Sequence, residues 1–279
     1  MHDTDTSHPQ FLAPTTLEGL LNILAEEGDR PAILAGGMTL MPLLNQGIGA
    51  RDNIVSLGRI PELHTIAYLG NVLQLGATVT HTDIEGDPVV AKHASILAKA
   101  AWGIGDVQVR NRGTIGGVVA YGNAGSDYIT ALTALGAQIR IRSQEGNRVV
   151  PTESFFVDLR LADLHADEVI TSVELPSAAG IRSAFSRYVR VQGAAPTITA
   201  AAVLRPEGGR LAIGGATPTP VLITVNDDTA VGTVVEEVDA GCASRPLGDV
   251  HNPPTYRRAM ARLYAANILK QARNQRGGQ

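Results

Sequence analysis

The sequence predicts an α+β protein, and three patterns along its 279 residues support this class. A leucine-striped helix, a short apolar strand and a glycine turn come first, and helices and strands then alternate. From Ile170 onward, short β-rich segments are separated by glycine and proline turns. An amphipathic helix from Thr255 to about Arg273 follows. The chain therefore reads as a mixed first part and a second part of antiparallel sheet plus helices.

The first helix is predicted by four leucines that share one face of residues 17–24. Thr15 and Glu18 have the spacing of a capping box at its start. The apolar strand at residues 32–35 comes next and runs into the glycine pair at residues 36–37. A glycine turn at the carboxyl end of a strand is a common ligand position in α/β sheets.

The rest of the first part contains further strands and helices. Residues 53–56 and 72–76 predict strands, and residues 89–101 predict one helix. Asp127 is a suitable opening residue for a second helix, which leads to a strand at residues 138–143.

The second part predicts a β-meander, because its apolar segments are short and bounded by turns. These segments are residues 170–175, 183–191, 197–205 and 211–214. A helix near residues 231–240 precedes the terminal one. We place the domain boundary near Pro176, where the mixed pattern ends, which gives domains at residues 1–176 and 177–279.

Composition excludes several classes of function. A net charge of -4 with 18% charged residues leaves no basic footprint for nucleic acid. Cys242 is the single cysteine, so the chain alone forms neither a disulfide nor a cysteine-ligated iron–sulfur cluster. The seven histidines lack metal-ligand spacing, so we expect no metal site in this chain.

Targeting signals are also missing from the sequence. Residues 1–6 are polar and acidic, without the apolar stretch of a signal peptide. No apolar run approaches the roughly 18 residues that span a bilayer. We expect a cytoplasmic protein that is not inserted into a membrane.

Two glycine-rich turns carry the predicted chemistry, and they lie at residues 35–42 and 110–117. Each places consecutive backbone amides beside a small hydroxyl residue, Thr39 or Thr114, as a pyrophosphate site requires. The patterns of a phosphate loop and of a Rossmann fingerprint are missing. The simplest alternative is that such Gly-Gly pairs only form tight turns.

Five motifs stand out along the chain: residues 35–42, 60–63 with 76–81, 105–117, 214–220 and 256–259. Through them the chain resembles the FAD-binding medium subunits of molybdenum hydroxylases, the family of carbon monoxide dehydrogenase and xanthine dehydrogenase. The resemblance covers nearly the whole chain, and residues 105–117 are its most specific part.

The resemblance implies a PCMH-type fold, also called the vanillyl-alcohol-oxidase type. In this fold, two α/β subdomains hold FAD between them, and a C-terminal domain of antiparallel sheet plus helices follows. The first loop would hold the pyrophosphate through Ala35, Gly36, Gly37, Met38 and Thr39. The second loop would contact the phosphates and the sugar-like arm through Thr114, Ile115, Gly116, Gly117 and Val118.

Other positions are assigned by the same resemblance. Ile104 and Gly105 would lie near the isoalloxazine, with Arg187 beside the flavin, whereas Asp127 and Ile170 would face the adenosine end. The family usually has Asn at the position of Val118 and a polar residue at that of Met38. Valine offers no side-chain hydrogen bond to an oxygen, so one cofactor contact is lost or moved.

The function implied is electron transfer by an oxidoreductase subunit without a catalytic acid or base of its own. Electrons would come from two [2Fe–2S] clusters of a small partner subunit and pass to an external acceptor. A large partner would carry the molybdenum–pterin site, and the complex is expected to be a dimer of heterotrimers. Three alternatives stay open: a stand-alone flavin oxidase or reductase, a nucleotide-phosphate-binding module without redox chemistry, and a scaffold that has lost FAD.

Overall fold

A small parallel sheet with two helices forms the first structural unit. The computed structural model describes residues 10–26, 31–49 and 53–275, so the polar start at residues 1–6 lies outside it. The three strands pair in the order first, third, second. In chain order the elements are β1 (Gln10–Leu12), α1 (Leu17–Ala25), β2 (Ala32–Leu34), α2 (Leu40–Asn45) and β3 (Asn53–Ser56).

The two helices of this unit differ in burial. The predicted leucine stripe of α1 is buried against Val55 of β3, which confirms the first helix. Its N-cap is Thr16, whose hydroxyl accepts a hydrogen bond from the Gly19 amide at 3.1 Å. The predicted capping box at Thr15 and Glu18 is wrong. The N-cap is the next residue, Thr16, which has the extended backbone of a cap, and the residue three positions later is Gly19, which has no side chain to complete a box. Helix α2 has no buried residue.

The second unit combines a five-stranded sheet with a helical layer. Its elements are β4 (Ile66–Leu69), β5 (Val72–Gly76), α3 (His81–Gly86), α4 (Pro88–His93), α5 (Ser95–Trp102), α6 (Val107–Arg110), α7 (Ile115–Tyr121), α8 (Asp127–Leu135), β6 (Gln138–Arg142), β7 (Asn147–Pro151), α9 (Thr152–Phe155), β8 (Phe156–Asp158), β9 (Leu161–Ala162) and β10 (Val169–Pro176). The sheet is antiparallel with order β4-β5-β10-β6-β7, and β8 pairs with β9 separately.

Two predictions for this unit need correction. The single helix predicted over residues 89–101 is two helices, α4 and α5, because Ala94 has φ -149° and ψ 52° and interrupts the helical backbone. The segment at residues 170–175 does not begin the meander, because β10 pairs with β5 and β6 at the centre of the five-stranded sheet.

The third unit is an antiparallel meander covered by two helices. Its elements are β11 (Arg182–Tyr188), β12 (Ile198–Leu204), β13 (Gly209–Gly214), β14 (Val221–Val225), α10 (Val231–Ser244) and α11 (Pro254–Asn274). The strands pair in sequence order. The chain passes from one sheet to the other between Pro176 and Arg182, and we propose the domain boundary there.

Strand β12 joins the second and third units, and all of its residues are buried. Ala201 and Val203 pack into the core of the second unit, whereas Ala200 and Ala202 pack into the core under α10 and α11. Alternating small side chains let helices approach both faces of one strand. None of the helices in the described part of the chain is long and apolar enough to cross a membrane.

Candidate cofactor site

The first glycine loop, residues 35–39, connects β2 to α2 at the molecular surface. Gly37 has φ +78°, which is strained for any residue with a side chain. Met38 and Thr39 are exposed, and the Thr39 hydroxyl makes no capping hydrogen bond. Among the described residues, the four amides of residues 36–39 have no acceptor. Four consecutive unpaired donors are suited to an anionic ligand.

The second glycine loop, residues 110–117, differs because the amides of residues 110–113 and 115–117 are already bonded within the protein. Ile115 N–H donates to Val79 O at 3.0 Å, and Gly116 N–H donates to Ala77 O at 2.9 Å. The Gly117 amide donates to the hydroxyl of Thr114, the N-cap of α7. The sequence-based expectation of free amides in both loops is therefore met by the first loop only.

Close backbone packing explains the glycines of the second loop. A Cβ at Gly116 would lie 2.6 Å from Ala77 O, and a Cβ at Gly113 would lie 2.5 Å from His81 Nε2. The two loops also touch each other, because a Cβ at Gly36 would lie 1.9 Å from Arg112 O. The structure thus brings the two predicted loops together, as a shared ligand would need.

The buried residue His81 supports the second loop. Its backbone amide donates to Gly113 O at 3.0 Å, and the Nδ1 atom of its ring lies 3.1 Å from the Tyr128 hydroxyl. Burial, with a smaller effect from Arg110, lowers the pKa of His81 to about 4. The ring is therefore neutral at physiological pH, which suits a packing and positioning role.

Asp127 and Arg187, predicted on separate grounds, form one buried ion pair. Arg187 Nε lies 3.0 Å from Asp127 Oδ1, yet neither atom completes a well-directed hydrogen bond within the described residues. Burial raises the pKa of Asp127 to about 7, although Arg187 acts in the opposite direction. Unsatisfied buried polar atoms call for a partner, and a ligand between these elements would supply one.

The same arginine connects this pair to the segment predicted beside the isoalloxazine. Arg187 donates to Gly103 O, immediately before Ile104, and to Ala194 O at 3.1 Å. Gly105 has φ +51°, and its carbonyl and that of Ile104 accept long hydrogen bonds from Arg110 at 3.5 and 3.4 Å.

The remaining candidates are less open to a ligand. Val118 is partly buried and packs on the core of the second unit. Ile170 lies inside β10, where its side chain is 4% exposed. Arg110, considered as a phosphate ligand, pairs with Glu85 at 2.9 Å.

Sequence reasoning missed Gly103 as a member of this site. A Cβ there would lie 2.3 Å from Arg187 Nη1, so any other residue would require the guanidinium to shift. Its position, directly between Trp102 and the predicted Ile104, was the available signal. The contact itself joins residues far apart in sequence and is visible only in the fold.

Residues 6–178 match the family described as the FAD binding domain in molybdopterin dehydrogenase, and the chain belongs to this family. The chain is 30% identical over 278 residues to the carbon monoxide dehydrogenase medium chain of Hydrogenophaga pseudoflava, covering 95% of this chain and 96% of the relative. It is 29% identical over 275 residues to the nicotine 6-hydroxylase medium subunit of Paenarthrobacter nicotinovorans, covering 94% and 96%.

Solved structures agree with these matches. Carbon monoxide dehydrogenase from Hydrogenophaga pseudoflava superposes with a TM-score of 0.87 at 29% identity, covering 95% of this chain and 97% of that one. Quinoline 2-oxidoreductase from Pseudomonas putida 86 gives 0.85 at 29% identity, covering 94% and 96%. The predicted family, α+β fold class, FAD cofactor and oxidoreductase class are confirmed.

Proposed function

We propose that the chain is the flavin-carrying medium subunit of a heterotrimeric molybdenum hydroxylase and that it conducts electrons rather than transforming the organic substrate. The observation that carries the proposal is the set of four amides at residues 36–39, which have no acceptor in the described part of the chain and lie where the two glycine loops meet. When bound, FAD supplies an isoalloxazine that takes up electrons singly and releases them in pairs.

The residues present fit this cofactor in two places. Ala35, Gly36, Gly37, Met38 and Thr39 would hold the diphosphate through backbone donors and the Thr39 hydroxyl. The second loop, residues 114–118, would lie beside the diphosphate as a fixed wall, because the amides of residues 115–118 are bonded within the protein.

The Asp127–Arg187 pair provides the second point of contact, through polar atoms that lack hydrogen bonds in the described structure. The Gly103 carbonyl accepts a hydrogen bond from the same arginine. Ile104, Gly105 and Arg187 would position the ring system. Asp127, expected from the sequence at the adenosine end, pairs with Arg187 at 3.0 Å, so we place it at the flavin end instead and keep only Ile170 for the adenosine end.

The partners follow from the names of the relatives, which are medium chains of carbon monoxide dehydrogenase and nicotine 6-hydroxylase. We expect a small subunit with [2Fe–2S] clusters and a large subunit with a molybdenum–pterin site. A dimer of heterotrimers in the cytoplasm is the assembly we propose. The electron acceptor would be an external molecule.

The test separates FAD from other ligands. The purified 279-residue chain is titrated with FAD, FMN and ADP, while flavin absorbance and fluorescence are recorded. We expect FAD to bind at least about tenfold more tightly than FMN, and ADP to compete, because the diphosphate and adenosine contribute contacts. Equal affinity for FMN, or no flavin binding at all, would overturn the proposal.

A second experiment addresses the partners. The tagged chain is purified from its native host, and iron and molybdenum are measured in the assembly and in the chain stripped of its partners. We expect both metals in the assembly and neither in the isolated chain. Metal bound to the isolated chain would contradict the proposed division of cofactors.

A further inference from the structure

Two sequence motifs in the third unit meet at one arginine, although neither belongs to the cofactor site described above. These motifs are residues 214–220 and 256–259. Arg257 Nη1 donates to Gly215 O at 2.6 Å and to Thr197 O at 2.8 Å. Its Nη2 lies 2.5 Å from Asp249 Oδ2. One guanidinium thereby joins three segments of the chain.

The two carbonyls converge because Gly215 is packed directly on Thr197. Gly215 has φ +90°, and a Cβ there would lie 2.2 Å from Thr197 O. The Arg257 side chain is 11% exposed, so water has little access to the two carbonyl oxygens that it binds. Without the guanidinium, both carbonyls would lose a charge-assisted hydrogen bond. The hydrogen bond to Arg257 also holds the pKa of Asp249 well below its usual range.

Thr197 ends the connecting segment, residues 189–197, which links β11 to β12. This segment contacts both parts of the proposed cofactor site. A Cβ at Gly193 would lie 3.6 Å from Gly105 O, and a Cβ at Gly125, just before α8, would lie 2.9 Å from Pro196 O. The connecting segment therefore lies against the region of Gly105 and against the start of the helix that carries Asp127.

The outer side of the connecting segment has little packing. An open cleft of about 380 Å³ separates it from residues 249–252, and Val191 is 68% exposed. Because apolar burial contributes little at residues 190–195, polar bonds contribute to holding the segment, and one of them joins the Thr197 amide to Tyr188 O at 2.8 Å. Arg187 bonds Ala194 O near the middle, and Arg257 bonds Thr197 O at the end.

We propose that Arg257 is a positioning residue of the cofactor site: it anchors the connecting segment against Gly105 and the start of α8. The effect on FAD rests on the proposed function, whereas the anchoring of the segment does not. Arg258 provides a matched control, because it is the next residue on α11 and, within the described residues, its guanidinium pairs with Asp239 of α10 and not with the connecting segment.

The anchor is tested first without FAD. Amide hydrogen exchange of the full chain is compared for wild type, Arg257→Met, Arg257→Lys, Asp249→Asn and Arg258→Met. We expect exchange in residues 189–197 to accelerate at least about fivefold in Arg257→Met, because local opening becomes easier, and to stay unchanged in Arg258→Met. Equal exchange in these two variants would overturn the proposal. Asp249→Asn, a milder change at a half-exposed residue, serves if Arg257→Met does not fold.

The second readout concerns FAD. We expect Arg257→Met to raise the dissociation constant for FAD about tenfold and to increase iodide quenching of bound flavin fluorescence. Arg257→Lys should recover only part of the affinity, since a point charge cannot serve all three oxygens at once. Faster exchange with unchanged affinity and quenching would refute the positioning role. A wild-type chain that does not bind FAD would refute the proposed function, while the exchange result would still decide the anchor.

Discussion

The two glycine loops meet at Gly36 and Arg112, yet they use their glycines for different purposes. In the first loop, the amides of residues 36–39 lie at the surface and find no acceptor among the residues that the structure describes. In the second loop, the glycines allow backbone to pack on Ala77 and His81, and the amides of residues 115–117 are bonded internally. A Gly-Gly pair can therefore supply donors to a ligand or supply rigidity. Here the first loop would supply donors to the proposed diphosphate, and the second loop would supply a rigid wall beside it.

We expect the largest change in stability when the pH is lowered, because acid protonates His81, the buried residue that supports the second loop. His81 has a folded pKa of about 4 against an ordinary value of 6.5, so the unfolded chain binds a proton in that window that the folded chain excludes. The free energy of unfolding should fall by about 3 kcal/mol from this group as the pH decreases from 6.5 to 4. Urea denaturation of wild type and His81→Gln across this range measures it.

The variant is essential to this measurement, because Asp127 changes stability in the opposite direction. Its pKa is raised to about 7, so its contribution to stability is full below its ordinary value of 3.8 and is lost as the pH rises through 7. Subtracting the His81→Gln curve from the wild-type curve isolates His81. Parallel curves would show that the ring titrates normally and does not support the loop as described.

A smaller effect tests the close packing of the second loop. In Gly116→Ala, the added Cβ would lie 2.6 Å from Ala77 O, and neither backbone can move freely. We expect the free energy of unfolding without FAD to decrease by about 2 kcal/mol, as for overpacking in a core. Gly58→Ala is the control, since its Cβ would meet only Ser56 Oγ at 3.5 Å. If Gly116→Ala weakened FAD binding at unchanged stability, the assignment of rigidity to this loop would be wrong.

The elements with strong local signals could be predicted from the sequence. The leucine stripe determines α1, Asp127 opens α8, and the turn-bounded apolar segments from residue 183 form the meander. The break at Ala94 could not be predicted, because alanine itself favours a helix and nothing local interrupts the pattern. The place of β10 in the other sheet depends on pairing with β5 and β6, which are distant in sequence.

In the candidate site, too, the features that depend on residues distant in sequence could not be predicted. The two loops could be recognised from their glycines, but the difference in their amides depends on acceptors at Val79 and Ala77, which lie 36 and 39 residues before Ile115 and Gly116. Likewise, Asp127 and Arg187 were separate expectations, and only the fold shows that they form one ion pair. Residue types can be predicted locally, whereas the occupancy of a hydrogen bond is a property of the tertiary structure.

The matched variants Thr39→Val and Thr114→Val distinguish a loop that donates to the ligand from a loop that is held by the protein. Each replaces the hydroxyl residue at the N-cap of a short helix, but only Thr114 accepts a capping hydrogen bond. Unfolding free energy without FAD and the dissociation constant for FAD are measured for both. We predict that Thr114→Val loses about 1 kcal/mol of stability. Thr39→Val should keep its stability within about 0.5 kcal/mol and bind FAD about fivefold more weakly. A loss of stability in Thr39→Val with unchanged FAD affinity would contradict the central claim that the first loop supplies the donors.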